Sequence, residues 1–363
     1  VNVDVGIRQY EKFEVGQGDV ANLNFVYGTG DNAINVGSFL NLVDNQIDIQ
    51  GIVNSMRNNN FYDGKVIFAS PKGMIVGASG VLNVGSLEAI TPDANAYDNF
   101  KTHPTSDYSA LTNNINNNAS ITVNGQIYAN NSVNINSGSV ALGNNSVIAS
   151  GINDSALLFN NLVNTGNVVP LTSSSFGTSN DGTIVITAGN TTGNGIVANG
   201  SITNYANNSD TTLNSARNID VNGNIENYGG TVSLTSNNTT KIPGTILNRT
   251  GKFNSTSTND TSISGNVTGT TGNGQVRYDA NGNPYIVWKV TVTADKNPDY
   301  STNPGKDVED NVFLLSIGEA NRYFGENKAR MCAPTAYAVK NGIYQNAGFN
   351  VDGTGACWWW LRS

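Results

Sequence analysis

Few residues in this chain could do covalent chemistry, and they are too thinly spread to share a site. The single histidine, His103, lies in KTHPTSD. A serine-hydrolase triad would have to use it, and no G-x-S-x-G elbow accompanies it. Polysaccharide-cleaving sites need paired carboxylates on one face, or acidic calcium ligands with a basic residue nearby. Here Asp154, Asp181, Asp210 and Glu226 fall singly in an Asn-rich background. Arg217 near Asp220 is the best local pair, and it reads as a surface ion pair. GTTGNG, Gly269 to Gly274, has neither phosphate-loop spacing nor a following lysine. No nonapeptide calcium repeat occurs, and two cysteines, Cys332 and Cys357, do not make a zinc site. These two would pair in an oxidising compartment and would stay as buried thiols in the cytosol. The residues thus assign no catalytic group, no metal and no cofactor, and the chain reads as non-enzymatic. One constellation stands out as a shape rather than as a reagent. In Ser70-Pro71-Lys72-Gly73-Met74, proline fixes one dihedral and glycine permits a positive φ, which is turn chemistry.

The elements around that turn have a plain texture. Charged residues are 13% of 363, against about 25% in an ordinary globular domain. Val and Ile nevertheless recur in short alternating runs, which favours folded strands over disorder. The net charge is −8 and the pI about 4.6, so there is no electrostatic footprint for nucleic acid. No apolar run approaches the ~18 residues of a membrane helix. VNVDVGIRQYEKFEV lacks a basic stretch and a signal core, so the chain is expected to begin as a mature or a trimmed protein.

IFASPKGMIVGASGVLNVGSL, Ile67 to Leu87, reads as short strands punctuated by turn residues. From about Ile115 to Val276 the pattern becomes monotonous, with Val or Ile pairs interrupted by Asn or Gly. V-N-G-x-I occurs at Val123 to Ile127 and at Val221 to Ile225, and Ala198 to Ile202 is a close variant. Imperfect self-similarity of this kind marks stacked repeats. The expected solution is a parallel β-helix, with Val and Ile stacked inside and Asn and Gly in left-handed conformations at the corners. Asn side chains at equivalent corners would bond along the axis as amide ladders. An antiparallel sandwich would instead show hairpins with tight two-residue turns. After Gly274 come four of the nine prolines and a charged loop. A helix-like stretch follows, where Ser316 and Glu319 match a capping box, and the chain ends in CWWWLRS.

YEKFEVGQGDVANLNF, LNLVDNQIDIQGIVNSM and IFASPKGMIVGASGVLNVGSL together resemble the secretion domain of two-partner-secreted filamentous adhesins, especially the leukotoxin-like adhesins of anaerobic bacteria. The resemblance covers roughly residues 1–95 closely and extends in style to about 275. It implies a right-handed β-helix with an N-terminal cap, exported by an outer-membrane barrel transporter. Family members carry an Asn-Pro-Asn-Gly-Ile type secretion motif. The matching residues here are Ser70, Pro71, Lys72, Gly73 and Met74, so Pro and Gly are kept and the other three differ. The same five residues also read as a corner needed for folding. Residues 290–363 resemble part of a bacterial surface domain of unknown function related to C-type-lectin-like and formylglycine-generating-enzyme-like folds. In this setting three adjacent tryptophans read more readily as core than as a sugar platform. A shortage of cysteines suits a chain threaded unfolded through a pore. Asn-x-Ser/Thr triplets such as Asn118, Asn144, Asn199 and Asn248 are frequent, and some filamentous adhesins are glycosylated at such sites.

The expected class is therefore all-β, a right-handed parallel β-helix followed by a partial α+β module. Its parts are a secretion domain at 1–110, an Asn/Gly-rich continuation at 111–276 and a truncated lectin-like module at 277–363. The expected function is a secreted or surface-bound adhesin, a monomeric stalk whose partners are the barrel transporter and a host or bacterial receptor, with glycan as one class. The alternatives are a β-helical polysaccharide-degrading enzyme and a leukotoxin-like effector. Stacked carboxylates on one face would favour the enzyme, and a featureless Asn/Ser/Thr face would favour the stalk.

Overall fold

The computed structural model describes residues 4–152 and 182–269, apart from 29, 209 and 250, together with separate segments from 274 onward. The chain divides into two units, Val1–Ile286 and Val287–Ser363. The first unit is a parallel β-helix. Its strands recur in threes and stack into three long parallel sheets, the first and second of nine strands and the third of ten. One coil comprises a strand from each sheet, and nine coils follow one another in chain order. The first coil is Val5–Tyr10, Glu14–Val15 and Val20–Asn24, and the ninth is Lys252–Ser257, Asp260–Ile263 and Val267–Gly269.

Strand alternation explains the Val/Ile pattern, because every second side chain enters the interior and meets its counterpart in the next coil, about 4.8 Å away. In the first sheet the inward column runs Phe39, Val66, Leu87, Val133, Ile184, Thr211, Val232, Phe253. In the third it runs Val53, Leu82, Ile127, Ile148, Ile202, Ile225, Ile246. Almost all of these side chains are fully buried. At the N-terminal end Arg8 occupies an inward register position opposite Asn41. Its guanidinium lies 3.7 Å from the Phe39 ring centroid and donates to the Asn24 carbonyl at 3.0 Å, closing the apolar interior there.

The V-N-G-x-I repeats are the corners between the second and third sheets. Asn124-Gly125, Asn199-Gly200 and Asn222-Gly223 each link a strand ending in Val or Ala to one carrying the inward Ile. The expected left-handed backbone is not used at these glycines; positive φ occurs elsewhere, as at Gly73 and Gly151. Glycine is required here because the preceding coil fills the space a side chain would take. A Cβ on Gly125 would stand 2.2 Å from the Gly80 carbonyl oxygen, and one on Gly223 2.0 Å from that of Gly200. Amide ladders do form at corners. Asn222 donates to Asn199 Oδ1 at 2.7 Å, while Asn259 donates to Asn238 and Asn238 to Asn218.

Between the first and second strands of coil 4 the chain leaves the β-helix to form α1 (Ala94–Thr102) and α2 (Ser109–Asn113), which the β-only reading of this region did not anticipate. Asp93 caps α1, accepting from the Ala96 amide at 2.9 Å. Tyr97, Phe100 and Leu111 pack on Leu40, Leu42, Ile67, Ala69 and Ile90, which point outward from the first sheet. This strap accounts for the composition change near residue 110. In coils 2–4 the first sheet is buried on both faces and its strands read as near-continuous apolar runs, FLNLV, VIFA and LEAI, broken by Asn41 and Glu88. In later coils the outer face meets solvent and carries Asn134, Thr187, Asn214 and Thr235 at outward positions. The three sheets themselves run on across residue 110.

In the second unit the described strands form two antiparallel pairs, Val290–Val292 with Val308–Asp310 and Gln345–Val351 with Thr354–Cys357.

Candidate functional site

The five residues Ser70 to Met74 form the corner between the first-sheet strand Lys65–Ala69 and the second-sheet strand Met74–Val76 of coil 3. The turn closes with the Gly73 amide donating to the Ser70 carbonyl at 3.2 Å. Serine in its first place and proline in its second suit a type I turn, with glycine fourth. The Ser70 hydroxyl donates to the Asn45 carbonyl at 2.8 Å and accepts from the Lys72 amide at 3.1 Å.

Neighbouring coils grip the corner from both sides. From coil 2, the Ile47 amide donates to the Gly73 carbonyl at 3.0 Å. From coil 4, the Ile90 carbonyl accepts from the Ser70 amide at 3.1 Å. Asn116 Nδ2 donates to the Pro71 carbonyl at 2.8 Å. Gly73 has φ +93°, and a Cβ there would lie 2.3 Å from the Ser120 carbonyl oxygen. Met74 points inward, stacked between Ile47 and Ile121. Ser70, Pro71, Gly73 and Met74 are buried, and Lys72 alone is exposed. Once the coils have formed, a partner touching this corner meets one ammonium group and no other side chain of the five. Asn45 and Asn116, which hold the corner, carry no local signal in the sequence because their partners, the Ser70 hydroxyl and the Pro71 carbonyl, lie in another coil.

Two polar clusters fasten the strap beside this corner. Lys101 Nζ lies 2.6 Å from Asp44 Oδ1, and the Tyr97 hydroxyl donates to the same oxygen at 3.1 Å. Burial, followed by the charge of Asp44, pushes the Tyr97 phenol well above its ordinary range. Lys65 Nζ lies 2.5 Å from Glu88 Oε2, with the Tyr108 hydroxyl bonded to both. Burial pulls the Lys65 ammonium down, but Glu88 and Tyr108 together raise it. Both clusters have their charges paired and serve as latches.

The remaining chemistry-bearing residues are dispersed. His103 follows α1 at its C-terminal end, exposed, with its Nδ1 3.1 Å from the Thr102 hydroxyl. Asp210 accepts from the Thr231 amide at 2.7 Å, a corner contact. Glu226 pairs with Arg249, whose guanidinium lies 4.6 Å from the Tyr228 ring centroid. The expected Arg217–Asp220 ion pair is not formed; Arg217 instead reaches back to donate to the Thr191 carbonyl at 2.9 Å. No group of three His, Cys, Asp or Glu side chains that could hold a metal ion occurs among the described residues. No helix among them is long and apolar enough to cross a membrane. Asp154, Asp181, Ser316, Glu319, Cys332, the three tryptophans Trp358 to Trp360 and the centre of GTTGNG lie outside the described residues, as does the Cys357 side chain. No protein-family model, curated protein or solved structure matches the chain.

Proposed function

We propose that this chain is an exported bacterial surface adhesin of the two-partner type. Its N-terminal coils direct passage through an outer-membrane barrel, and the long β-helix forms a rigid, monomeric stalk. The stalk would present a lectin-like module to a host or bacterial surface receptor, with glycan as the favoured class. The observation that carries this reading is the contrast between the two ends of the β-helix. Coils 1–4 hold a strapped, aromatic-rich unit containing the motif-like corner, whereas later coils show outer faces of Asn, Ser and Thr. Their described carboxylates are Asp210, Asp220, Glu226 and Asp260; Asp210 and Glu226 are already partnered, and Asp220, Glu226 and Asp260 each stand in register with non-acidic residues. Nearest-neighbour stacking also suits a chain that folds coil by coil as it emerges from a pore.

The test is to produce the chain in cells with and without the outer-membrane barrel of its own genome, then label intact cells with an antibody against coils 5–9. The proposal expects surface labelling and culture-medium protein only when the barrel is present. Equal surface display without it would overturn the reading.

A further inference from the structure

Four Asn-Gly pairs fall among the described coils: Asn124-Gly125, Asn194-Gly195, Asn199-Gly200 and Asn222-Gly223. In such a pair the glycine amide nitrogen can attack the asparagine Cγ. The new N–Cγ bond closes a succinimide, the Cγ–Nδ2 bond breaks, and ammonia departs with the proton lost by the glycine nitrogen. Water then opens the ring to aspartate or isoaspartate, and no oxidant or reductant is consumed. Attack requires an amide nitrogen free of hydrogen bonds and a backbone that can rotate.

Three of the pairs are held against this reaction. The Gly223 amide donates to the Ala198 carbonyl at 2.9 Å and the Gly125 amide to Val76 at 3.3 Å. At Asn199 the side-chain oxygen accepts from Asn222, and the backbone amide donates to the Leu142 carbonyl at 3.0 Å. Asn194 differs. Exposed like Asn124 and Asn222, and followed by a buried Gly195, it lies in the 189–195 corner just after an Asx turn in which Asn190 Oδ1 accepts from the amides of Thr192 and Gly193. Neither its side chain nor the Gly195 amide has a hydrogen-bond partner among the described residues.

We propose that Asn194 is a spontaneous deamidation site, and that hydrogen bonds to neighbouring coils protect the other three pairs. Isoaspartate at 194 would insert a methylene into the backbone beside Gly195, whose carbonyl accepts from the Val140 amide at 3.1 Å. The modification would loosen the pairing of coils 5 and 6 at their second-sheet strands.

The full folded chain, incubated at mildly alkaline pH, is mapped by peptide mass spectrometry, with isoaspartyl methyltransferase labelling as a second readout. A parallel sample is held in urea, and Asn194→Gln serves as the control that removes the signal from its peptide. Because local opening must precede attack at the stacked corners, Asn194 should convert at least about tenfold faster than the other three in the folded chain. In urea the four rates should converge. Conversion of Asn124, Asn199 or Asn222 as fast as Asn194 in the folded chain would overturn the proposal, as would an Asn194 rate in the folded chain far below its rate in urea.

Discussion

Gly73 lies so close to Ser120 of the next coil that a single methyl group placed on it would meet the Ser120 carbonyl oxygen at 2.3 Å. The contact ties the motif-like corner to coil 4 before any partner is considered. It also makes glycine obligatory twice over, through its φ of +93° and through the missing space.

Gly73→Ala is therefore expected to destabilise the β-helix by about 2–3 kcal/mol, combining left-handed strain with backbone displacement. Lys72→Ala, one position away and exposed, should change stability by no more than about 0.5 kcal/mol. Urea denaturation followed by far-ultraviolet circular dichroism distinguishes the two. Equal effects would show that the corner is looser than its contacts imply.

The strap should be held by its apolar residues more than by its latches. Phe100→Ala removes a ring packed on the first sheet and should cost about 3 kcal/mol. Lys101→Ala breaks a pair in which both side chains are roughly one-third exposed (31% and 36%), and should cost about 1 kcal/mol or less. The same denaturation experiment checks the order, and a larger loss from Lys101→Ala would reverse the assignment.

Alkaline stability follows from two tyrosines, Tyr128 on the third sheet and Tyr205 just past its strand Ser201–Asn204. Burial, then the neighbouring Tyr205, pushes the Tyr128 phenol up to about 12. Burial, then Tyr228 and Glu226, does the same for Tyr205, also to about 12. Since unfolded tyrosine titrates near about 10, their contribution is intact below that pH and is lost as pH rises towards about 12. Tyrosinate absorbance should show late-titrating phenols whose ionisation coincides with loss of the β-sheet signal. Tyr128→Phe should reduce the pH dependence in this window, and an unchanged slope would contradict the account.

Hydroxyls replace aliphatic side chains inside coils 8 and 9, where Ser236 donates to Ser257 at 3.2 Å, Ser257 to Thr240 at 2.8 Å and Thr240 to Ser236 at 3.2 Å. The three form a closed ring. Thr240→Val alone breaks it and should cost about 1–3 kcal/mol, because its neighbours lose partners in the interior. Replacing all three by Ala, Val and Ala should be nearly neutral, so the effects will be strongly non-additive. Additive losses measured by denaturation would rule out the ring.

The sequence carried the stacking unusually openly. Val123-Asn-Gly-x-Ile127 and its copies could be read as a repeating corner because each coil satisfies nearly the same local geometry. The role given to those glycines needed correction, since Gly125 is fixed by the Gly80 carbonyl of another coil, and such a contact leaves no local trace. The strap escaped for a related reason. Nine residues bearing only Tyr97 and Phe100 as buried positions make too short a helical period to stand out, although Asp93 was a usable capping signal. The motif turn was legible in its Pro and Gly, while Asn45 and Asn116, which hold it, were not.

The most direct test compares export with folding for corner variants of the full chain, produced beside its outer-membrane barrel and also purified and refolded. If the corner supports export by letting the early coils form, Pro71→Ala and Gly73→Ala should lower export in step with their loss of folding. Lys72→Ala should leave both unchanged. Abolished export of a variant that refolds normally would contradict this account and assign the corner to direct recognition by the transporter.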